Sequence, residues 1–277
     1  MQKLTSQVNL RSIMSVLIFT LILSHCAAPA LATESDPPAP RRVVYLTFDD
    51  GPYREVTPYL LDLLKQEEIR ATFFVLPREN VDDLYKRIID EGHELANHSF
   101  THNYNRLYGR TLDNFRQEVM KAHDFVLDNF EYNMTSFRFP GGPFGRPQRV
   151  FDERRAILAE LGYREFAWHV DSNDWRPNVR HMTGTQLATR VLDAVDALQN
   201  DDHIIILFHD VPWSVRLLEA MPLIITGLRE RGFTFDITRN FPLTEAELEM
   251  LKEQNAARRK TERQRELKEI LLVESLR

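Results

Sequence analysis

Short apolar runs alternate with amphipathic stretches along most of this sequence. The apolar runs are rich in β-branched and aromatic residues, which favours buried strands, and they fall at residues 43–46, 71–76, 93–97, 164–170, 203–208 and 233–237. Between them, hydrophobic side chains at helical spacing predict helices near residues 60–64, 84–89, 112–130, 149–161, 186–198 and 215–231. Polar clusters follow several of the strands. This order predicts an α/β fold with a parallel barrel and a site at the carboxyl ends of its strands.

Length and composition limit the classes of protein that fit. A chain of 277 residues that is 43% hydrophobic can bury one sizeable core. Its formal net charge of −6 offers no overall basic character of the kind that nucleic-acid binding requires. We therefore expect a globular domain with appendages and no nucleic-acid partner.

The two ends of the chain differ in composition from the middle. Residues 1–32 combine early basic residues, an apolar run and small residues, which is typical of a secretory signal; an uncleaved membrane anchor is the alternative. Residues 33–42 contain three prolines and predict a stiff linker. The predicted catalytic domain covers residues 43–240. Residues 241–277 are highly charged and predict a solvated C-terminal helix, which either packs on the barrel or binds a partner.

Two adjacent carboxylates stand where the first strand must stop. Asp49 and Asp50 follow the apolar run and precede Gly51-Pro52, which cannot continue a strand. Close carboxylates repel each other unless a cation or a shared proton relieves them. His98 and His102 are candidate partners, because a helical turn would place both imidazoles on one face. One carboxylate and two histidines, with coordination positions left open, form a set typical of catalytic metal sites.

The sequence resembles the carbohydrate esterase family 4, or NodB-type, polysaccharide deacetylases. Five short motifs carry the resemblance in the family's order: TFDDGP at 47–52, HSFTH at 98–102, RFPGG at 138–142, DSNDW at 171–175 and ILFHD at 206–210. Each string alone is weak evidence, but five in order are strong. The resemblance extends over about residues 43–237 and implies a distorted, incomplete (β/α) barrel in place of a full eightfold one.

The resemblance also implies a role for each residue of the metal centre. Asp50, His98 and His102 correspond to the metal ligands, and Asp49 to the general base. The residues alone do not decide which aspartate has which role. Arg138 resembles the arginine that pairs with the base and keeps it ionised.

The later motifs supply the remaining groups. His209 is the expected general acid toward the leaving nitrogen, and Asp174 would orient it and keep it cationic. Trp175 and Leu207 would line the pocket for the acetyl methyl group. In the family the residue after the third motif's proline is aromatic, and its backbone N–H contributes to the oxyanion hole. Here that residue is Gly141, so the N–H is kept and an aromatic wall is lost.

Aromatic residues elsewhere are candidates for the missing surface. Phe144 is one replacement, and Tyr104 and Trp213 are further candidate platforms for a sugar face. Asp171 is interpreted as a residue that shapes the loop.

Taken together, these patterns predict a metal-dependent hydrolase that removes N-acetyl groups from an N-acetylglucosamine-containing glycan. Zinc is the expected metal, although the ligand set also suits cobalt, nickel or iron. The alternatives are an O-acetyl esterase acting on a xylan-type glycan and a family member that binds glycan without catalysis. A signal at the N-terminus implies a secreted or periplasmic protein, with membrane contact only through an uncleaved leader.

Overall fold

The computed structural model describes residues 42–198, 202–245 and 247–249, and within them eight strands form one parallel sheet. The strands are β1 (Val43–Asp49), β2 (Thr72–Val75), β3 (Glu94–Asn97), β4 (Ser136–Phe137), β5 (Arg164–Glu165), β6 (Val170–Asp171), β7 (His203–His209) and β8 (Thr234–Phe235). Their order is β5-β4-β3-β2-β1-β7-β6, and β8 pairs with the first two residues of β1.

Helices connect most of the strands, as repeated β–α units require. They are α1 (Thr57–Gln66), α2 (Asp82–Asp90), α3 (Tyr104–Tyr108), α4 (Leu112–Phe130), α5 (Gln148–Glu160), α6 (Gly184–Ala197) and α7 (Val215–Glu230), and a 3₁₀ helix follows at Thr238–Asn240. The predicted helices are confirmed within a few residues. The five-residue helix α3 was not predicted.

The sheet curls because its two ends are joined by a very short segment. β5 and β6 lie at opposite ends of the strand order, yet only residues 166–169 separate them in the chain. Four residues span at most about 14 Å. The prediction of one strand over residues 164–170 is therefore wrong: the run is divided between the two edges, and its middle closes the incomplete barrel. The predicted distorted (β/α) barrel is confirmed.

Alternate residues of the strands supply two cores, as the two-residue period of a strand requires. Val44, Leu46 and Phe48 of β1 face the large core beneath the helices. The opposite face contributes to a smaller cluster inside the barrel, made of Tyr45, Phe74, Ala96, Phe166 and Ile205. The guanidinium carbon of Arg138 lies 4.0 Å from the ring centroid of Phe74. The barrel interior is therefore filled, and the buried arginine adjoins this packed layer.

The predictions for the two ends of the chain lie largely outside the described residues. These are the signal and most of the linker at residues 1–41, and residues 250–277 of the charged helix. Residues 245 and 247–249 are helical. Among the helices that the structure describes, none combines the length and the hydropathy that a bilayer-spanning segment requires.

Candidate active site

Parallel pairing brings the predicted catalytic residues to one end of the barrel. Asp49 is the last residue of β1 and lies opposite His209, the last residue of β7. Asp50 follows with φ of 74°, a left-handed conformation that ends the strand. Both aspartates and His209 line one cavity of about 520 Å³. The site thus lies at the carboxyl ends of the strands, where the strand–helix alternation predicts it.

Asp49 forms a buried ion pair with Arg138. The guanidinium Nη1 donates to Asp49 Oδ1 at 2.8 Å and to Thr47 Oγ1 at 2.8 Å. The other nitrogens donate to the carbonyl oxygens of Phe166 and Ala167. Burial raises the pKa of Asp49, and the charge of Arg138 opposes that increase. The arginine is therefore fixed at every nitrogen and aims one N–H at the carboxylate.

His209 is paired with Asp174 from the loop after β6. Asp174 Oδ1 lies 2.8 Å from His209 Nδ1, and its Oδ2 accepts the backbone N–H of His209 at 2.9 Å. Burial acts to lower the pKa of His209, but the charge and hydrogen bond of Asp174 outweigh it, so that this pKa is raised to about 9. His209 is therefore cationic at neutral pH and can donate a proton.

Asp50, His98 and His102 converge on one point. One ligand atom from each lies within 4.8 Å of the other two. His102 Nε2 is 3.5 Å and His98 Nε2 is 3.6 Å from Asp50 Oδ1. Asp50 Oδ1 is buried and has no hydrogen-bond partner among the described residues. This oxygen needs a positive group that the described side chains do not supply.

The tautomer of His98 shows that a cation fits this set. His98 Nδ1 lies 3.0 Å from the carbonyl oxygen of Arg138, which can only accept, so Nδ1 carries the hydrogen and Nε2 presents a lone pair. Burial lowers the pKa of His98 to about 3, although Asp50 acts to raise it. Nε2 and the Asp50 oxygen are therefore two acceptors that face each other. A metal ion is the group that satisfies both.

The two histidines converge without the predicted helical turn. Residues 98–102 form a loop in which Ser99 and His102 have φ of 77° and 58°. Glu118 of α4 holds this loop: its Oε2 accepts the N–H and the hydroxyl of Thr101, each at 2.8 Å, and its Oε1 accepts from Arg106 Nε. The helical turn that would align the two imidazoles does not form, because hydrogen bonds to the buried carboxylate of Glu118 shape the loop.

Comparisons with known proteins agree with this geometry. A family model described as polysaccharide deacetylase matches residues 36–166. A peptidoglycan-N-acetylglucosamine deacetylase of Bacillus cereus is 35% identical over 203 residues, which cover 71% of this chain and 69% of that protein. The chain belongs to the polysaccharide deacetylase family. Because deacetylases of this family are hydrolases, the chain is a hydrolase.

For two further relatives of this polysaccharide deacetylase chain, the matched region covers a larger share of the relative's own length. A chitooligosaccharide deacetylase of Sinorhizobium fredii is 30% identical over 213 residues, which cover 72% of this chain and 90% of that protein. The structure of a Streptococcus mutans CE4 esterase superposes with a TM-score of 0.66 at 28% identity, over 71% of this chain and 86% of that one. The incomplete barrel described above is therefore the family fold.

The predicted substrate-binding residues of this deacetylase chain line the same cavity. Its walls include Gly141, Trp175 and Leu207, and the predicted platforms Phe144, Tyr104 and Trp213 lie there too. Asp171, interpreted from the sequence as a loop-shaping residue, is also part of the lining, as is Trp168. Most of the predicted site residues therefore line one cavity, and the other two, Arg138 and Asp174, contact the lining residues Asp49 and His209.

Tyr104 occupies the space next to Gly141, where the family has an aromatic side chain. A β-carbon built on Gly141 would lie 2.7 Å from Tyr104 Oη, and Gly141 has φ of 73°. The Tyr104 ring stacks on Tyr108, whose hydroxyl donates to the carbonyl oxygen of Pro140. An aromatic ring thus stands beside Gly141, but it comes from α3. From the sequence, Tyr104 was predicted only as a platform for a sugar face, because Gly141 is its neighbour in space but is distant in the chain.

A buried carboxyl group behind the site, that of Asp210, was not among the predicted site residues. Asp210 is fully buried; its Oδ2 accepts from Thr57 Oγ1 at 2.6 Å, and its backbone N–H donates to the carbonyl oxygen of Asp49. A β-carbon on Gly51 would lie 2.0 Å from Asp210 Oδ2, so only glycine fits there. The motif at 206–210 contains Asp210, but only the fold reveals its contacts.

Proposed function

We propose that this polysaccharide deacetylase hydrolyses the N-acetyl group of an N-acetylglucosamine-containing glycan and releases acetate. The observation that carries the proposal is the convergence of an Asp49–Arg138 pair, a His209–Asp174 pair and a three-residue ligand set on one cavity. The Bacillus and Sinorhizobium relatives, which are named for deacetylation of peptidoglycan N-acetylglucosamine and of chitooligosaccharide, support the same reaction.

The chain's own residues supply the proton transfers. A divalent cation held by Asp50, His98 and His102, zinc as the first choice, would polarise the acetyl carbonyl and lower the pKa of water. Asp49 accepts the proton of the attacking water, because its ion pair with Arg138 keeps the carboxylate oriented and ionised. His209 then donates its proton to the leaving nitrogen, because Asp174 keeps the imidazole cationic. The C–N bond then breaks to release acetate and the amine, and loss of the proton from Asp49 and uptake of one by His209, through solvent, restore both groups.

The cavity lining provides the acetyl pocket and the donor for the developing oxyanion. No described residue accepts the backbone N–H of Gly141, which leaves that N–H for the substrate oxygen. Trp175 and Leu207 offer apolar surface for the methyl group, and Tyr104 offers a ring face for the sugar. Gly141 therefore keeps the backbone N–H donor of the family, while the aromatic surface comes from Tyr104 instead.

The cellular setting belongs to the same proposal. A glycan substrate of the cell envelope and a leader at residues 1–32 together favour action outside the cytoplasm, in the periplasm or after secretion. Membrane contact would be limited to an uncleaved leader. The charged segment at residues 241–277 is a candidate for binding a protein partner. Nucleic acid is not an expected ligand.

Two other activities are compatible with this family. An O-acetyl esterase would use the same groups on a better leaving group, and the similar Streptococcus mutans protein is named an esterase. A member that only binds glycan would need no proton donor. The paired Asp49 and His209 favour catalysis, because neither buried pair is required for binding a neutral sugar.

Acetate release from two substrates side by side tests the proposal. The zinc-reconstituted protein is incubated with an N-acetylglucosamine tetramer and with an acetylated xylan, with and without a chelator. We expect chelator-sensitive acetate from the tetramer. Release from xylan alone would identify an esterase. Release from neither substrate, by protein that binds both zinc and the tetramer, would favour the binding role.

A further inference from the structure

The outer wall of the cavity carries arginines that lack a described carboxylate partner. Most arginines of the described chain form ion pairs, including Arg138 in the site itself. Arg146, Arg176 and Arg180 form none with any carboxylate of residues 42–198, 202–245 or 247–249. Arg176 and Arg180 line the cavity, and Arg146 lies 5.3 Å above the ring of Tyr104, which also lines it.

Two tryptophans hold the arginines of the cavity wall. The Arg176 guanidinium carbon lies 5.0 Å from the Trp175 ring centroid, and that of Arg180 lies 5.0 Å from the Trp213 ring centroid. Arg180 Nε donates to the carbonyl oxygen of Trp175 at 3.1 Å. Trp175 and Trp213 are 41% and 47% exposed, so the two arginine–tryptophan pairs form the open part of the cavity. The terminal nitrogens of both arginines accordingly have no described acceptor.

The acidic groups of the cavity do not balance this charge. Asp49 is neutralised by Arg138, Asp174 by His209, and Asp50 by the cation that its ligand set requires. Asp171 remains, and its charge acts on Arg176, but its Oδ1 accepts the N–H of Asn173. One carboxylate cannot balance two arginines of the lining. An excess of positive charge is thus held at the site of a protein whose net charge is −6.

We propose that Arg176 and Arg180 bind a carboxylate on the sugar next to the acetylated residue, so that the substrate is an anionic glycan. The inference rests on the proposed deacetylase activity. A guanidinium matches a carboxylate with two parallel hydrogen bonds, and the tryptophan faces restrict its orientation. Two sugars carry such a group beside N-acetylglucosamine: muramic acid, through its lactyl ether, and a uronic acid. A neutral chitin chain offers the arginines no complementary group.

Matched tetramers test the charge directly. They are alternating N-acetylglucosamine and N-acetylmuramic acid, the same tetramer with its lactyl carboxylates converted to methyl amides, and alternating N-acetylglucosamine and glucuronic acid. We expect kcat/KM for at least one acid form to exceed that for the amide by about five- to tenfold at low salt. The advantage should shrink at about 0.5 M salt. Whichever acid form is preferred identifies the source of the carboxylate.

A variant that lacks both arginines is the second part of this test. The double variant Arg176→Gln/Arg180→Gln should reduce the acid-to-amide ratio to about one. Arg190→Gln is the matched control, because Arg190 is exposed on α6 and does not line the cavity, and it should keep the wild-type ratio. An equal ratio in wild type and double variant, or a wild-type preference for the amide, would overturn the inference.

Binding separates this inference from the proposed activity. The affinity of Asp49→Asn protein for the same tetramers is measured by calorimetry, where no turnover is needed. Preferred binding of an acid form that is lost with the two arginines, without acetate release by wild type, would reject the deacetylase proposal and keep the anionic ligand. Chelator-sensitive acetate release without any preference for carboxylate would do the reverse.

Discussion

At the scale of single residues, the site is defined by which atoms carry hydrogens. The hydrogen bond from His98 Nδ1 to the carbonyl oxygen of Arg138 leaves a lone pair on Nε2, 3.6 Å from oxygens of both Asp49 and Asp50. Three acceptors thus share one space. The guanidinium of Arg138 compensates the negative charge of Asp49, whereas Asp50 Oδ1 has no described partner and can bind a cation. This difference in partners supports the assignment of base and ligand that the residues alone left open.

Substitutions at two of these residues should separate catalysis from metal binding. Asp49→Asn should abolish turnover while zinc content stays near one per chain, because the amide oxygen can still accept from Arg138 but cannot take a proton. His98→Ala should lose zinc and activity together. Acetate release and elemental analysis of the purified proteins measure both. Appreciable activity in Asp49→Asn, or unchanged zinc in His98→Ala, would refute the corresponding role.

The pH dependence of activity should report the pair of His209 and Asp174. Activity requires protonated His209, so the rate should fall as pH rises through about 9, the raised pKa of this imidazole. Asp174→Asn removes the charge that raises this pKa, so the alkaline limb should move toward the ordinary value of about 6.5.

The pH–rate profile of kcat/KM measures this shift. Asp193→Asn is the control, because Asp193 is exposed on α6 and does not line the cavity. A limb that stays in place in Asp174→Asn, or moves equally in both variants, would contradict the assignment.

At the scale of elements, α4 determines the shape of the histidine loop. Glu118 is almost fully buried and binds Thr101 and Arg106, so the helix fixes the segment that presents His98 and His102. Neither left-handed residue of the loop is glycine. A helical turn is therefore a fair prediction from spacing, and it fails because the partner that bends the loop lies 17 residues further along the chain.

Removal of the Glu118 carboxylate should weaken metal binding. Glu118→Ala is expected to lower zinc affinity by about 10- to 100-fold, as losses of groups that orient metal ligands generally do. Competition with a chromophoric chelator measures the affinity. Gln117→Ala on the same helix is the control, because that side chain is exposed and bonds only Arg106 in this region. Equal affinities of the two variants would show that α4 does not position the ligands.

At the scale of the whole molecule, the alternation of strands and helices and the polar residues at the strand ends could be predicted from the sequence pattern, whereas the closure of the barrel could not. Apolar runs and helical periodicity were enough for β1, β2, β7 and the long helices. The run at 164–170 could not be divided from sequence, because the apolar residues 166–168 lie between the two short strands and only the pairing partners of those strands differ. Likewise, the contact of Tyr104 with Gly141 joins two motifs that only the barrel brings together.

Asp210 should make stability depend on pH across the whole fold. Burial raises its pKa to about 8, against an unfolded value near 4. Its stabilising contribution is full below the unfolded value and is lost as pH rises through about 8. Asp210→Asn cannot ionise, so its Tm relative to wild type should be higher at pH 8 than at pH 5. Thermal melts of the zinc-saturated proteins measure this difference, and a constant offset would count against a protonated Asp210.

The four-residue closure of the barrel limits how this protein could acquire a new specificity. Residues 166–169 join the sheet edges, supply two carbonyl acceptors for Arg138 and place Trp168 in the cavity wall. Lengthening that segment to widen the groove would loosen the arginine from the general base at the same time. An engineer who seeks a different glycan should instead change Tyr104 on α3 and the loops that carry Trp175 and Trp213, because these positions lie outside the closure of the sheet.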